Sequence, residues 1–217
     1  MSHKVILIKI LPARYANDFL DGKLYLNTNT FFGKIDSSDT VRFDPLDGID
    51  QSLQVKEISI AAPGENWTPI GGIINPVGFR SSESERLNIL CMYALSDQHD
   101  KPFDNRNLKF GDVAVLIGNP IEFMRRVKST AATLNKEVIP KHVEYVDRCT
   151  HHGDMGPFRK FSDYNYQNEF RIVLTNGTGN PCRLQIGDIR DIAVMGPSKD
   201  IPKLQQSTVR CDAKQPR

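Results

Sequence analysis

The chain has 217 residues, of which 39% are hydrophobic and 25% charged, the ordinary balance of a soluble globular protein long enough to bury a core without staples. Its net charge of +2, from 28 basic and 26 acidic residues, gives no bulk sign of a nucleic-acid binder. The four cysteines, Cys91, Cys149, Cys182 and Cys211, are widely spaced without a CxxC pair, so reduced thiols are expected. No run reaches transmembrane length and the N-terminus lacks a cleavage site, so a cytoplasmic protein with no membrane partner is expected.

Val5 to Ile10 reads as a β-branched strand stopped by Pro12. Arg14 to Leu20 reads as a short helix ended by Asp21-Gly22, and Lys23 to Asn27 as a second strand with Leu24 and Leu26 opposite Tyr25. The polar segment from Asp36 to Asp50 is assigned to a loop. Strands are expected at Val55 to Ala61, Ile73 to Phe79, Leu87 to Leu95 (the most central) and Asp112 to Ile117, with a loop over Pro63 to Gly72. Asn119-Pro120 is an N-cap followed by proline at the first helical position. It opens the one long helix, with Ile121, Met124, Val127, Ala131 and Leu134 at helical spacing.

Strands follow at Glu137 to Val146, Tyr166 to Thr175, Arg183 to Ile186 and Asp191 to Met195, and Asp147 to Lys160 is a polar loop. Many short strands with one good helix predict an α+β fold on a mostly antiparallel sheet that can split. Residues 1–200 are expected as one domain and 201–217 as a polar tail.

The strand around Phe170 has two kinds of face. Phe170, Ile172 and Leu174 alternate on an apolar side, while Gln167, Glu169 and Arg171 line the other as three hydrogen-bonding groups. Such a row is an active-site wall or the wet side of a sheet. In Arg42-Phe43-Asp44-Pro45-Leu46-Asp47-Gly48, two carboxylates and an arginine can orient a ligand, or Asp-Pro and Asp-Gly can serve simply as turns. His151 and His152 beside Cys149 and Asp154 lack the spacing of a zinc site, and no metal is assigned; they fit a loop over a pocket that can supply a proton, or exposed histidines without a role. Arg159 and Lys160 between Phe158 and Phe161 can hold a nucleotide by charge and stacking, or sit in water beside anchoring aromatics. The chain has no P-loop, GxGxxG, GxSxG or HExxH motif.

Three segments carry a resemblance: Tyr15 to Asn27, the Arg42 to Gly48 loop, and Tyr164 to Arg171 with its Tyr-x-Tyr-Gln-x-Glu-x-Arg pattern. Together they resemble uncharacterised bacterial and phage proteins of the DUF2971 type and are distantly similar to the ADP-ribosyltransferase fold. The resemblance implies Glu169 as catalytic glutamate, Gln167 two residues before it, and Tyr25 stacking on nicotinamide. It implies NAD as cofactor, with Arg42, Asp44, Arg159 and Tyr166 among the binding residues, and a macromolecular target in phage–host conflict. The rivals are a non-catalytic protein- or nucleotide-binding protein of the same setting, and a metal-dependent nucleic-acid-processing enzyme using Asp44, Asp47 and Glu169.

Overall fold

The computed structural model describes residues 5–34, 43–96 and 102–204, which adopt an α+β fold with mainly antiparallel strands. The first half contains β1 (Val5–Leu11), α1 (Ala16–Leu20), β2 (Lys23–Thr28), β3 (Gln51–Leu53), β4 (Ile58–Ile60), β5 (Thr68–Ile70), β6 (Val77–Phe79) and β7 (Asn88–Ser96). The second half contains β8 (Val113–Ile117), α2 (Pro120–Thr133), β9 (Val138–His142), β10 (Glu144–Val146), β11 (Gly153–Asp154), β12 (Arg159–Phe161), β13 (Glu169–Leu174), β14 (Cys182–Gln185) and β15 (Ala193–Pro197).

Strand β7 organises the main sheet. One edge pairs with β13 from Asn88 to Tyr93. The other pairs with β1 through Tyr93–Ser96 and with β2 only at Asn88 and Ile89. Between those two contacts the Lys9 ammonium donates to the Cys91 carbonyl at 2.8 Å, supplying a donor where no strand does. The full order is β14-β2-β7-β1-β8-β15, with β13 and then β9 branching from β7. Buried on both faces, β7 is the central strand that its apolar run predicts.

The predicted strand from Glu137 to Val146 is in fact two. Strand β9 pairs with β13 in the main sheet, whereas β10 pairs in parallel with β12. The break falls at Val143, whose side chain is buried and whose amide still donates to the Glu169 carbonyl. This is where the predicted splitting of the sheet occurs.

Helix α2 begins as expected: the Asn119 side chain accepts from the Glu122 amide at 3.1 Å, with Pro120 in the first turn. Its buried stripe differs from the predicted one. Phe123, Val127 and Ala131 are fully enclosed, four residues apart, with Met124 partly buried beside them. Ile121 and Leu134 lie at the ends of the predicted stripe and are exposed.

The helices cover one sheet face, packing against Leu7, Leu26, Leu90, Met92, Ile172 and Leu174. The other face is divided. Toward β1 and β8 it is apolar, with Ile8, Ile10, Tyr93, Leu95, Phe103 and Ala114. Ile201 packs here too, so the core extends past residue 200 into the segment expected as tail. Toward β13 this face is charged.

Phe123→Ala is expected to lower stability by about 3–5 kcal/mol, because its void is sealed between sheet and helix. A chemical-denaturation midpoint that hardly moves would contradict the central place given to this side chain.

Candidate functional site

The polar face of β13 is covered by residues 43–50 and 153–161. Glu169 is the first residue of β13, and Arg171 follows on the same face. Register places them opposite Tyr93 and Cys91 of β7. Gln167 is not on the strand. It ends a 3-10 turn, Ser162–Gln167, and Asn168 joins turn to strand in the left-handed region at φ 40°. The predicted three-residue row is therefore a two-residue row plus a side chain that arrives from the turn.

The three groups nonetheless meet, through a lysine. Lys160 Nζ donates to Gln167 Oε1 at 2.7 Å and to Glu169 Oε1 at 3.0 Å. Glu169 Oε2 accepts from Arg171 Nε at 2.7 Å. The Arg171 guanidinium then grips Asp47 with two bonds of 2.9 Å, and its Nη1 also donates to the Pro157 carbonyl. Lys160 lies 3.3 Å from Asp47 and 3.9 Å from Asp44. Arg171 is 0% exposed and Glu169, the most open of the five charged groups, 8%.

Turn chemistry delivers the two aspartates. Asp44 accepts from the Leu46 amide at 3.2 Å, and the Asp47 amide donates to the Asp44 carbonyl at 3.0 Å. Gly48 turns the chain at φ +70°, where a Cβ would strike the Asn29 side chain at 2.3 Å. Arg80 braces the turn from outside by donating to the Asp47 and Gly48 carbonyls. The turn reading of this loop therefore holds, and the turn aims its carboxylates inward at Arg171 and Lys160.

Three carboxylates face two cations. Burial raises the Glu169 carboxyl, but the Arg171 and Lys160 cations outweigh that and hold it at about 2. The same two cations keep Asp47 below its usual range against burial. Asp44 is different. Burial pushes it up to about 6, with repulsion from Asp47 adding to the rise and distant Lys160 offsetting only part of it. Burial and the neighbouring Glu169 push the Cys91 thiol up to about 12, leaving it a poor nucleophile.

The other predicted site residues lie elsewhere or serve local partners. Arg42 falls outside the described residues. Tyr25 is half exposed on β2, its ring 5.8 Å from the Arg183 guanidinium. Arg159 pairs with Glu144 at 2.8 Å and with the Asp154 carbonyl, pointing away from Lys160 as neighbours on a strand must. The Tyr166 ring stacks 3.7 Å from Arg106, which Asp104 holds in a two-bond pair.

The 147–154 loop is built rather than loose. Asp147 caps the amides of Cys149 and Thr150, His151 bonds the Asp154 carbonyl, and His152 Nδ1 accepts from the Gln54 amide at 3.1 Å. His151 ties the loop to itself, and His152 ties it to the segment after β3. No group of side chains arranged to hold a metal is found among the described residues. The carboxylates Asp44, Asp47 and Glu169 instead face Lys160 and Arg171.

A second feature lies where a strand, a loop over Pro63 to Gly72 and a further strand were expected; the loop in fact contains β5. Residues 56–74 leave the β3–β6 ribbon as an arm, closed at its base by Asn75, whose side chain both accepts from the Val55 amide and donates to its carbonyl. Within the arm β4 pairs with β5, and the register puts Ile58 opposite Ile70 and Ile60 opposite Thr68, all on one face. Ile60 is 59% exposed, Trp67 73% and Ile74 88%. From Ile58 to Phe79 the only charged residue is Glu65, in a chain that is 25% charged. That depletion was available in the sequence, but the segment read as strand, loop and strand without its exposure.

The chain matches no protein-family model, no curated protein and no solved structure.

Two predictions test the cluster. Arg171→Met is expected to cost about 3–5 kcal/mol, since it strands Asp47 and Glu169 without their cation. A urea midpoint near wild type would contradict the clamp. Asp44 runs the other way. Its folded carboxyl titrates near 6 rather than 3.8, so the protonated form favours folding and that stability is lost as pH rises between those values. Asp44→Asn should therefore match wild type below pH 3.8 and exceed it above pH 6, by up to about 3 kcal/mol. Paired denaturation curves at the two pH values check this; an equal offset at both would remove the charge explanation.

Proposed function

We propose that this protein acts by binding another protein surface through its arm, without turnover, and that the charged cluster on β13 is the structural lock that holds the arm-bearing layer on the sheet. The observation that carries this reading is the exposure of Ile60, Trp67, Ile70 and Ile74 on one nearly uncharged projection. Interface cores lose charged residues and gain tryptophan, and a two-stranded ribbon open to water gains little stability from its own pairing. With Lys56 at its base as its single cation, against Glu57 and Glu65, the arm is unsuited to nucleic acid, whose recognition runs through phosphate. The lock supports the same reading, because both Glu169 oxygens are taken by Lys160 and Arg171.

Installing a photo-crosslinking residue at Trp67 or Ile74, in cells that make the protein, should give discrete protein adducts. The same residue at Lys136, at the far end of α2, should give none. Smears or no adducts from the arm positions would defeat the reading.

A second reading keeps the ADP-ribosyltransferase-like enzyme acting on a macromolecular target. One observation favours it: the Asp44–Gly48 turn and the Gln167–Arg171 segment, two of the three carriers of the likeness, meet in one cluster that contains a carboxyl titrating near 6. On this reading Glu169 and Gln167 would engage the nicotinamide ribose of NAD once loop 43–50 moved aside, with Tyr25 and Arg159 reaching the site by a larger rearrangement. Incubation with labelled NAD and lysate should then transfer or release label, and Glu169→Gln should lose at least 100-fold of that rate, on the order expected for a catalytic carboxylate. No label movement with folded protein excludes it.

A further inference from the structure

The chain contains a single Asp-Pro peptide bond, between Asp44 and Pro45. Toward acid this is the weakest bond a polypeptide offers. The aspartyl carboxyl can close a cyclic anhydride on its own carbonyl carbon, as carboxylates do when they act as nucleophiles. Proline's tertiary nitrogen then takes up a proton and leaves more readily than an ordinary amide nitrogen. In this fold the bond straddles the boundary of the charged cluster: Asp44 is 1% exposed, while Pro45 faces solvent.

The turn sets the geometry for that attack. Asp44 Oδ1 accepts from the Leu46 amide at 3.2 Å, and the ring this bond closes contains the Asp44-Pro45 peptide itself, so carboxyl and carbonyl are held together. The Asp44 carbonyl oxygen accepts from the Asp47 amide at 3.0 Å, a donor placed where negative charge develops when that carbon is attacked. Asp47 is gripped by Arg171, and Tyr164 donates to the Phe43 carbonyl at 2.9 Å, so the chain is fixed on both sides of the bond. The carboxyl faces Lys160 of β12 at 3.9 Å, Asp47 on its own loop, Arg171 of β13 and Tyr164 of the turn between those strands. Glu169, the remaining carboxylate of the cluster, is bonded to both cations. Burial pushes Asp44 up to about 6, Lys160 offsetting only part of this and Asp47 adding to it, whereas Glu169 and Asp47 stay ionised well below that pH. In mild acid the attacking group is therefore protonated while the lock that orients it is still closed.

We propose that the chain cuts itself between Asp44 and Pro45 in mild acid. An Asp44 carboxyl oxygen bonds to the Asp44 carbonyl carbon, the bond from that carbon to the Pro45 nitrogen breaks, and the carboxyl proton passes to the nitrogen. The products are a cyclic anhydride at Asp44 and a free Pro45 amine. Water then opens the anhydride to the two carboxyl groups of Asp44, so one water is consumed for each bond cut. Lys160 does not compete for the anhydride. Burial disfavours its ammonium, but Asp47 and Glu169 outweigh burial and raise it well above the usual lysine range, so its nitrogen has no free electron pair. The pieces 1–44 and 45–217 stay assembled, because β1 still pairs with β7 and β8. What changes is the tether: the arm-bearing layer loses its covalent link to β2. The step does not depend on what the arm binds.

The test is incubation of the purified full chain with protease inhibitors at about pH 5 and about pH 8, followed by denaturing electrophoresis and intact mass. Expected at the lower pH are fragments 1–44 and 45–217, whose masses add to that of the chain plus one water, the larger beginning at Pro45. The rate should fall at least tenfold at the higher pH, where the carboxyl has lost its proton. Asp44→Asn keeps the acceptor for the Leu46 amide and removes the acid; Pro45→Ala keeps the acid and restores a secondary amide. Each should slow the cut at least tenfold, and circular dichroism checks that each is folded. The chain unfolded in urea at the lower pH should also be cut at least tenfold more slowly, since its carboxyl is then mostly ionised and no longer held. A chain that stays whole for several days at the lower pH overturns the proposal. So does cutting that Asp44→Asn leaves unchanged, which marks a contaminating protease. Cutting that is equally fast in urea overturns it too, because the lability then belongs to the dipeptide and not to the fold.

Discussion

Everything on the polar side of this sheet depends on one guanidinium. Arg171 is fully buried, yet it binds carboxylates from two parts of the chain, Asp47 and Glu169, and a carbonyl from a third, Pro157. Bringing such a group out of water is expensive, and the attraction of its partners compensates only when the hydrogen bonding is nearly complete. Here it is. The consequence is specificity: loop 43–50 has one place to sit, because any other leaves a buried cation unpaired. An apolar patch would have tolerated sliding, whereas two parallel N–H···O bonds to Asp47 tolerate very little.

Asp44 shows the limit of that arrangement. The cluster has charge enough to neutralise Asp47 and Glu169, and the third carboxylate is left with the distant end of Lys160. A protein selected for stability alone would carry an amide there. Small local liabilities of this kind are retained where another requirement competes with stability. The turn is not that requirement, because an asparagine oxygen would accept from the Leu46 amide equally well; what is retained is the charge itself, 3.9 Å from Lys160.

Much of the scaffold was legible because it is set by short-range chemistry. The Asn119-Pro120 cap, the centrality of β7 and the two-faced character of β13 each follow from neighbours in sequence. What could not be read was whether the charged face of β13 meets water or protein. That is decided by residues 43–50, more than a hundred positions away, and a face covered by charged partners looks in sequence like a face covered by solvent. Parity was the second obstacle. Arg159 and Lys160 read as a joint clamp, but one residue's difference on β12 sends the first outward to Glu144 and the second into the cluster. Gln167 escapes the row for a similar reason, since the left-handed Asn168 separates it from the strand, which begins only at Glu169. The arm stayed hidden because hydrophobic residues in sequence announce a core, and only the fold shows that these have none.

The β1 lysine that reaches the gap on β7 has an effect on mechanics. Because Lys9 fills the gap on β7 that a continuous β2 would have closed, the β2–β14 pair hangs from the sheet by two residues, Asn27 and Thr28. Its tilt is consequently governed by the layer beneath, where Leu24, Leu26 and Leu184 lie in the same apolar cluster as Phe123 and Val127 of α2. The sheet's outer flank therefore follows the helix. A shift of α2 would be felt at Tyr25 and Arg183, on the outward side of that flank, before it reached β7.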